Sequence, residues 1–87
     1  MKLKLPCEYA IIGVIKPGNN RTFVAIERYD EPKMPFATYE VYEYPDTPAD
    51  CRNGYYTASR YDALNDMIER ALASNSEWRN RGQERRI

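Results

Sequence analysis

The fold is decided by residues 22–44, which read TFVAIERYDEPKMPFATYEVYEY. Two runs in this stretch, Thr22–Tyr29 and Phe36–Tyr44, alternate side chains with the period of two that is typical of half-buried β-strands. The six residues between them include two prolines and two acids, which favours a turn. The stretch therefore predicts two consecutive antiparallel strands of one sheet.

Further strands are predicted on both sides of this stretch. Residues 8–15 are nearly continuously apolar, which is typical of a central strand covered on both faces. The turn at 16–20, with Pro17 and Gly18, joins that strand to Thr22–Tyr29 as a hairpin. Residues 45–50 hold two prolines, where we expect a strand to be interrupted, and Gly54–Thr57 is a candidate for a short fourth strand.

One helix is predicted after these strands. Ser59 is a suitable N-cap, and Asp62 adds a carboxylate where the helix N-terminus favours one. The apolar stripe expected to cover the sheet consists of Tyr61, Leu64, Ile68, Ala71 and Leu72. The pattern ends at residues 74–76. The predicted fold class is α+β, an antiparallel β-meander of three or four strands packed on one C-terminal helix. We expect a single domain over residues 1–76 and a mobile, Arg-rich C-terminal tail over 77–87.

Length and composition limit the class of protein. A chain of 87 residues is one domain, and 13 basic against 13 acidic side chains argue against a dedicated nucleic-acid binder. The longest apolar run is far shorter than the ~20 residues of a membrane span, and the N-terminus does not resemble a signal peptide. Cys7 and Cys51 lack CxxC spacing, so we expect reduced, structural thiols, with a disulfide as the alternative, and a cytoplasmic location.

The residue inventory argues against catalysis. The chain has no His, which removes the commonest general base and the commonest metal ligand. Its four Gly are isolated, so no phosphate-binding loop is present. We therefore expect no catalytic residues, no metal and no cofactor, and we interpret the chain as a binding protein and not an enzyme.

A segregated charge pattern suggests where binding occurs. No basic residue lies between Lys33 and Arg52, whereas acids and tyrosines are frequent there. If Tyr39 and Val41 face the helix, the alternate side chains form an open sheet face. An acidic, Tyr-rich face suits a protein partner with a basic surface, such as a nucleic-acid-handling protein. A homodimer through this face or an edge strand, or a merely solvated face, are the alternatives. The candidate binding residues are Glu40, Tyr42, Tyr44, Asp46, Asp50 and Tyr55.

Residues 54–64, which read GYYTASRYDAL, run on into Glu69-Arg70-Ala71. This segment resembles the Gly-aromatic strand, capped turn and Ala/Leu helix of many small phage and mobile-element proteins. Some of those proteins inhibit host defence systems, so the resemblance implies an accessory or inhibitory role. The same order is similar to AP2-like and integrase-arm DNA-binding domains, which implies an alternative nucleic-acid-binding module. Its contacts would be Arg21, Arg28 and Lys33 on the strands, with Arg79, Arg81, Arg85 and Arg86 of the tail as anion contacts.

Overall fold

Four strands and one helix make up the fold in the computed structural model, which describes residues 1–18 and 21–84, with side chains up to residue 74. The strands are β1 (Tyr9–Ile15), β2 (Thr22–Arg28), β3 (Phe36–Tyr44) and β4 (Thr47–Thr57), and the helix is α1 (Arg60–Glu84). The sheet order is β1-β2-β3-β4, with every neighbouring pair antiparallel. The predicted α+β class, a meander packed on a C-terminal helix, is confirmed.

Two strand predictions need correction. The apolar strand β1 is an edge strand, and β2 is an inner one, buried continuously from Thr22 to Ile26. The prolines of residues 45–50 do not prevent β4, which begins straight after a two-residue turn and contains Pro48. The strand tolerates this proline because β4 is the other edge of the sheet and its ladder is bulged there, with residues 48–49 opposite Glu43 alone.

The sheet face opposite the helix, which was expected to be open, is covered by the N-terminal segment. On the side opposite α1, Tyr39 and Val41 lie in a core that is closed by Leu3 of the N-terminal segment. Backbone hydrogen bonds of 2.8 Å join Ala49 of β4 to Lys2 and Lys4, so this segment crosses the sheet from the β4 edge to β1. Tyr39 and Val41 therefore face away from the helix, and the expectation that they pack against it was wrong. The buried members of this core are Leu3, Val24, Ile26, Ala37, Tyr39, Val41 and Ala49.

The helix packs with a face that overlaps the predicted stripe only in part. Ala71 of that stripe is buried and Leu64 is half-buried against the same core, but Tyr61, Ile68 and Leu72 are 74%, 44% and 63% exposed, and Met67, outside the stripe, is buried. The physical reason is a close approach to β1, where a side chain at Gly13 would place its Cβ 2.7 Å from Met67 Cε. Small or flexible side chains fit this gap and large branched ones do not. The helical residues buried on this side are Ala63, Met67, Ala71 and Ser74.

The beginning of the helix was predicted correctly and its end was not. Ser59 Oγ accepts a hydrogen bond of 3.1 Å from the backbone N–H of Asp62, which is the N-cap contact. The helix does not stop at residues 74–76 but continues to Glu84. The side chains of residues 75–84 and all of 85–87 lie outside the described part, so the separate, mobile tail over 77–87 stays a prediction.

Candidate protein-binding surface

The candidate residues on β3 and β4 share one face of the sheet, and it is the face that carries the helix. Thr38 has the same orientation as Glu40 and Tyr42, and its hydroxyl donates a hydrogen bond to Asp66 of α1. On β4, directly opposite residues share this orientation, which places Asp50 beside Tyr42, Arg52 beside Glu40 and Tyr55 beside Thr38. Tyr44 is 48% and Tyr55 40% exposed, so the helix leaves this part of the face uncovered. We call it the tyrosine–arginine surface, formed by Tyr42, Tyr44, Asp50, Arg52 and Tyr55.

Glu40 connects the side chains around this surface through hydrogen bonds and an ion pair. Its Oε1 accepts a 2.7 Å hydrogen bond from the Tyr42 hydroxyl, and its Oε2 accepts one of 3.2 Å from Asn53 Nδ2. The Arg21 Nε lies 3.7 Å from Glu40 Oε1, and only 12% of the Glu40 side chain is exposed. The hydrogen bond to this carboxylate, with some burial, raises the pKa of Tyr42 above its ordinary value. Glu40 thus positions its neighbours and offers little of its own charge to a partner.

Arg52 makes the surface electrically balanced. Its guanidinium lies 4.7 Å from the centre of the Tyr42 ring, and its Nη2 is 3.9 Å from Asp50 Oδ2. With Arg21 on Glu40, each carboxylate of this cluster has an arginine beside it. The two arginines therefore balance the negative charge of Glu40 and Asp50, and the acidic surface expected from the sequence is not formed. From the sequence, Arg21 was expected only as a nucleic-acid contact, and Arg52 was not expected at all. The two-residue turn at 45–46 by itself would place Cys51 opposite Glu40, and the bulge at residues 48–49 is what brings Arg52 to that position.

A β-bulge fixes the bend of β4 beneath this surface. Asn53 and Gly54 together lie opposite Tyr39, and Asn53 adopts a positive φ of 55°. Gly54 is required because a Cβ there would lie 2.8 Å from Tyr39 Cε1. The bulge is tied to the helix, since Arg70 Nη1 donates a 2.6 Å hydrogen bond to the Asn53 carbonyl and Arg70 Nε pairs with Asp66 at 2.9 Å. The position of β4 is thus set by α1.

The remaining acidic candidate, Asp46, lies at the tip of the β3–β4 hairpin. It follows Pro45 with a φ of 64°, the combination of a type II turn, and it is exposed. It is adjacent to the tyrosine–arginine surface at its Tyr44 end and stays a predicted contact.

The basic candidates do not form one surface. Arg21 precedes β2 and Arg28 ends it, so about seven residue steps, or roughly 24 Å, separate them. They also lie on opposite faces, because Arg28 stacks 4.7 Å from the Tyr56 ring on the side away from α1. Lys33 is exposed in the β2–β3 loop at the Arg28 end. The side chains of Arg79, Arg81, Arg85 and Arg86 lie outside the described residues.

The described residues carry few other features of a functional site. No group of three or more His, Cys, Asp or Glu that could hold a metal occurs among them. No helix in that part of the chain is long and apolar enough to cross a membrane. Cys7 and Cys51 are free and half-buried, and burial, then the charge of Asp50, raises the pKa of the Cys51 thiol.

Comparisons with protein-family models, with curated proteins and with solved structures find no match to this chain. The resemblance of residues 54–71 to phage proteins and to DNA-binding domains therefore stays a prediction.

Proposed function

We propose that this chain is a small non-enzymatic protein-binding module and that the tyrosine–arginine surface is its contact surface. The observation that carries the proposal is the grouping of Tyr42, Tyr44, Tyr55 and Arg52 on one face of one hairpin. Tyrosine and arginine are among the residues that dominate binding energy in protein interfaces, because each combines a large contact area with polar groups. In this proposal the chain acts by occupying its partner's surface, as an accessory or inhibitory protein does.

Preorganisation supports the proposal. Tyr42 is held by a hydrogen bond to Glu40 and by the guanidinium of Arg52 over its ring. The strand beneath is fixed to α1 through the Arg70 contact with Asn53. Side chains that are already ordered lose less conformational entropy on binding, so more of the contact energy appears as affinity.

The charge balance favours a protein partner over a nucleic acid. The two arginines of the cluster, Arg21 and Arg52, stand against Glu40 and Asp50, so the surface has no basic excess. Binding to phosphates draws its affinity from such an excess through counterion release. We therefore expect a protein partner that presents an apolar centre with both signs of charge around it, and this replaces the basic partner expected from the sequence.

Affinity capture with matched variants tests the proposal. The intact, tagged chain is compared with Tyr42→Ala and Arg52→Ala, and with the control Tyr29→Ala, whose side chain is 64% exposed in the β2–β3 turn. We expect each surface variant to weaken binding of the captured protein by roughly tenfold or more, the effect of losing a major interface contact, and the control to bind normally. Equal binding by all four chains, with circular dichroism spectra unchanged, would contradict the proposal.

A further inference from the structure

The β1 edge is apolar and has little of the usual protection of an edge strand, a single bulge at Ile12 apart. From Tyr9 to Ile15 it has no charged residue and no proline, and none of its seven residues is fully buried. Within residues 1–18 and 21–84, β1 pairs with β2 alone. The β4 edge differs, because it carries Pro48, two bulges and the pairing of Ala49 with Leu3. Since natural proteins block edges that must stay unpaired, a weakly protected apolar edge indicates a pairing surface.

An apolar row on the helix continues this edge. Leu64 contacts β1, with its Cδ2 only 3.2 Å from where a Cβ on Gly13 would lie. Ile68 and Leu72 follow at intervals of four residues, so they form one row with Leu64 along the same side of α1. They are 44% and 63% exposed, a large apolar area on the β1 side. We call Leu64, Ile68 and Leu72 the helix shoulder. The other side of α1 carries Asp66 and Arg70, which contact β3 and β4.

We propose that the β1 edge and the helix shoulder form the interface of a two-fold symmetric homodimer, in which two β1 strands pair antiparallel and join the two sheets. The charges that flank the strand support a second copy as the occupant. Glu8 precedes β1 and Lys16 follows it, so antiparallel pairing brings the acid of each copy near the base of the other, whereas parallel pairing would bring like charges together. Lys16 also lies 3.6 Å from Glu43 of its own chain, so Glu8 of the partner would join an existing ion pair. The net charge of zero adds no repulsion between copies.

In one register of the two β1 strands, every pair of opposite residues points to the same face of the joined sheet. Ile11 contacts the core away from α1, whereas Ile12, Gly13 and Ile15 lie on the helix side because β1 has a bulge there. Paired residues in an antiparallel ladder point to the same face. Placing Ile12 opposite the partner's Gly13 satisfies this rule along the strand. The same register puts Ala10 opposite the partner's Ile15.

The distance between the two helices of the proposed dimer also allows their apolar rows to meet. Each α1 lies over β2, where Met67 and Ala71 pack on Phe23 and Ala25. The two β2 strands would be three strand spacings apart, or about 14 Å. A helix with its side chains is about 10–12 Å wide, so the long side chains of the two shoulders meet above the joined β1 strands. The dimer thus buries an edge and a helical row that are both exposed in one copy.

Sedimentation velocity over about 1–100 µM, the range in which a dimer of moderate affinity dissociates, tests the proposal. We expect the wild-type chain to be a dimer in the upper part of this range. Leu72→Glu in the shoulder and Val14→Lys on the edge, where Val14 is 43% exposed, should each weaken dimerisation by roughly tenfold or more. The controls are Ala73→Glu, which is exposed next to Leu72 but outside the row, and Met34→Lys, 50% exposed in a loop.

The outcomes separate the alternatives. Weaker dimers for Leu72→Glu and Val14→Lys, with both controls like the wild type and all chains folded by circular dichroism, support the interface. A wild-type monomer at every concentration overturns it, and would leave a strand from another protein as the occupant of the edge. A dimer whose affinity is unchanged by both substitutions would overturn the proposal that this surface is the interface. Tyr42→Ala lies outside the interface and should leave the mass unchanged, so the binding function and the dimer are tested separately.

Discussion

Met67→Ala should destabilise the fold strongly, and Leu72→Ala should not, although the two residues are five positions apart on one helix. Met67 is 4% exposed and is the largest side chain that the described part of α1 buries against the sheet. Leu72 is 63% exposed. The comparison therefore measures which side of the helix packs on the sheet, the feature for which the sequence pattern and the structure disagree.

The expected magnitude follows from what surrounds Met67. Truncating a buried Met to Ala costs about 2–5 kcal/mol, depending on how far the neighbours can fill the void. Gly13, Ala25 and Ala71 have small or absent side chains that cannot extend into the void, whereas Phe23 and Leu64 of the same cluster can fill part of it. We therefore expect a loss of about 3 kcal/mol, which lowers the Tm of a domain of this size by about 12–24 °C. Leu72→Ala in the monomer should change stability by about 0.5 kcal/mol or less.

Urea unfolding followed by circular dichroism gives both values, provided that the m-values of the variants agree. The measurement is made at two protein concentrations, because loss of the proposed dimer contact would make the effect of Leu72→Ala depend on concentration. A concentration-independent loss at Leu72 as large as that at Met67 would refute the described orientation of the helix.

Three further predictions follow from single contacts. Asp66→Ala leaves the fully buried Thr38 hydroxyl without its acceptor, and should cost about 1–3 kcal/mol in urea unfolding, whereas Thr38→Val with Asp66→Ala together should cost less than the sum. Ser59→Ala removes the N-cap acceptor of the Asp62 N–H and should cost about 1 kcal/mol, with Ser59→Asp restoring most of it. Burial and the hydrogen bond to Tyr56 raise the pKa of Tyr39, so the folded state keeps the Tyr39 proton at a pH where the unfolded state has lost it. The resulting stability is present below pH ~10 and declines above it. Tyr39→Phe should therefore make this decline shallower in unfolding curves measured between about pH 8 and 11.

The parts of the fold that could be predicted are those set by local pattern. Alternation in Phe36–Tyr44 is a property of the strand itself, so the common face of Glu40, Tyr42 and Tyr44 was readable from the sequence. The N-cap at Ser59 is equally local. Neither pattern says which face meets the helix. That choice depends on Leu3 reaching across the sheet to the β4 edge, a contact between distant parts of the chain.

The orientation of the helix could not be predicted for a related reason. α1 carries apolar side chains over an arc wider than the face it buries, from Met67 and Ala71 round to Ile68 and Leu72. A hydrophobic pattern alone cannot rank two neighbouring rows, and the close approach at Gly13 selects the row with the small residues. In the proposed dimer both rows have a function, one against the sheet and the other against the second copy.

The charge of the candidate surface was mispredicted because pairing is not visible in a one-dimensional charge pattern. Arg52 is twelve positions from Glu40 in the chain but directly opposite it across the hairpin. Arg21 reaches the same carboxylate from the start of β2. An acidic segment is an acidic surface only if the strands beside it do not supply the opposite charge.

Site-specific photo-crosslinking in the host extract tests the central claim most directly. A photoreactive phenylalanine analogue replaces Tyr55, which is 40% exposed on the tyrosine–arginine surface, or Tyr29, which is 64% exposed outside it. If the surface binds a protein, the label at Tyr55 should give one defined cross-linked species that unlabelled chain competes away, and the label at Tyr29 should not give that species. No competable product at Tyr55, or the same product at both positions, would contradict the account.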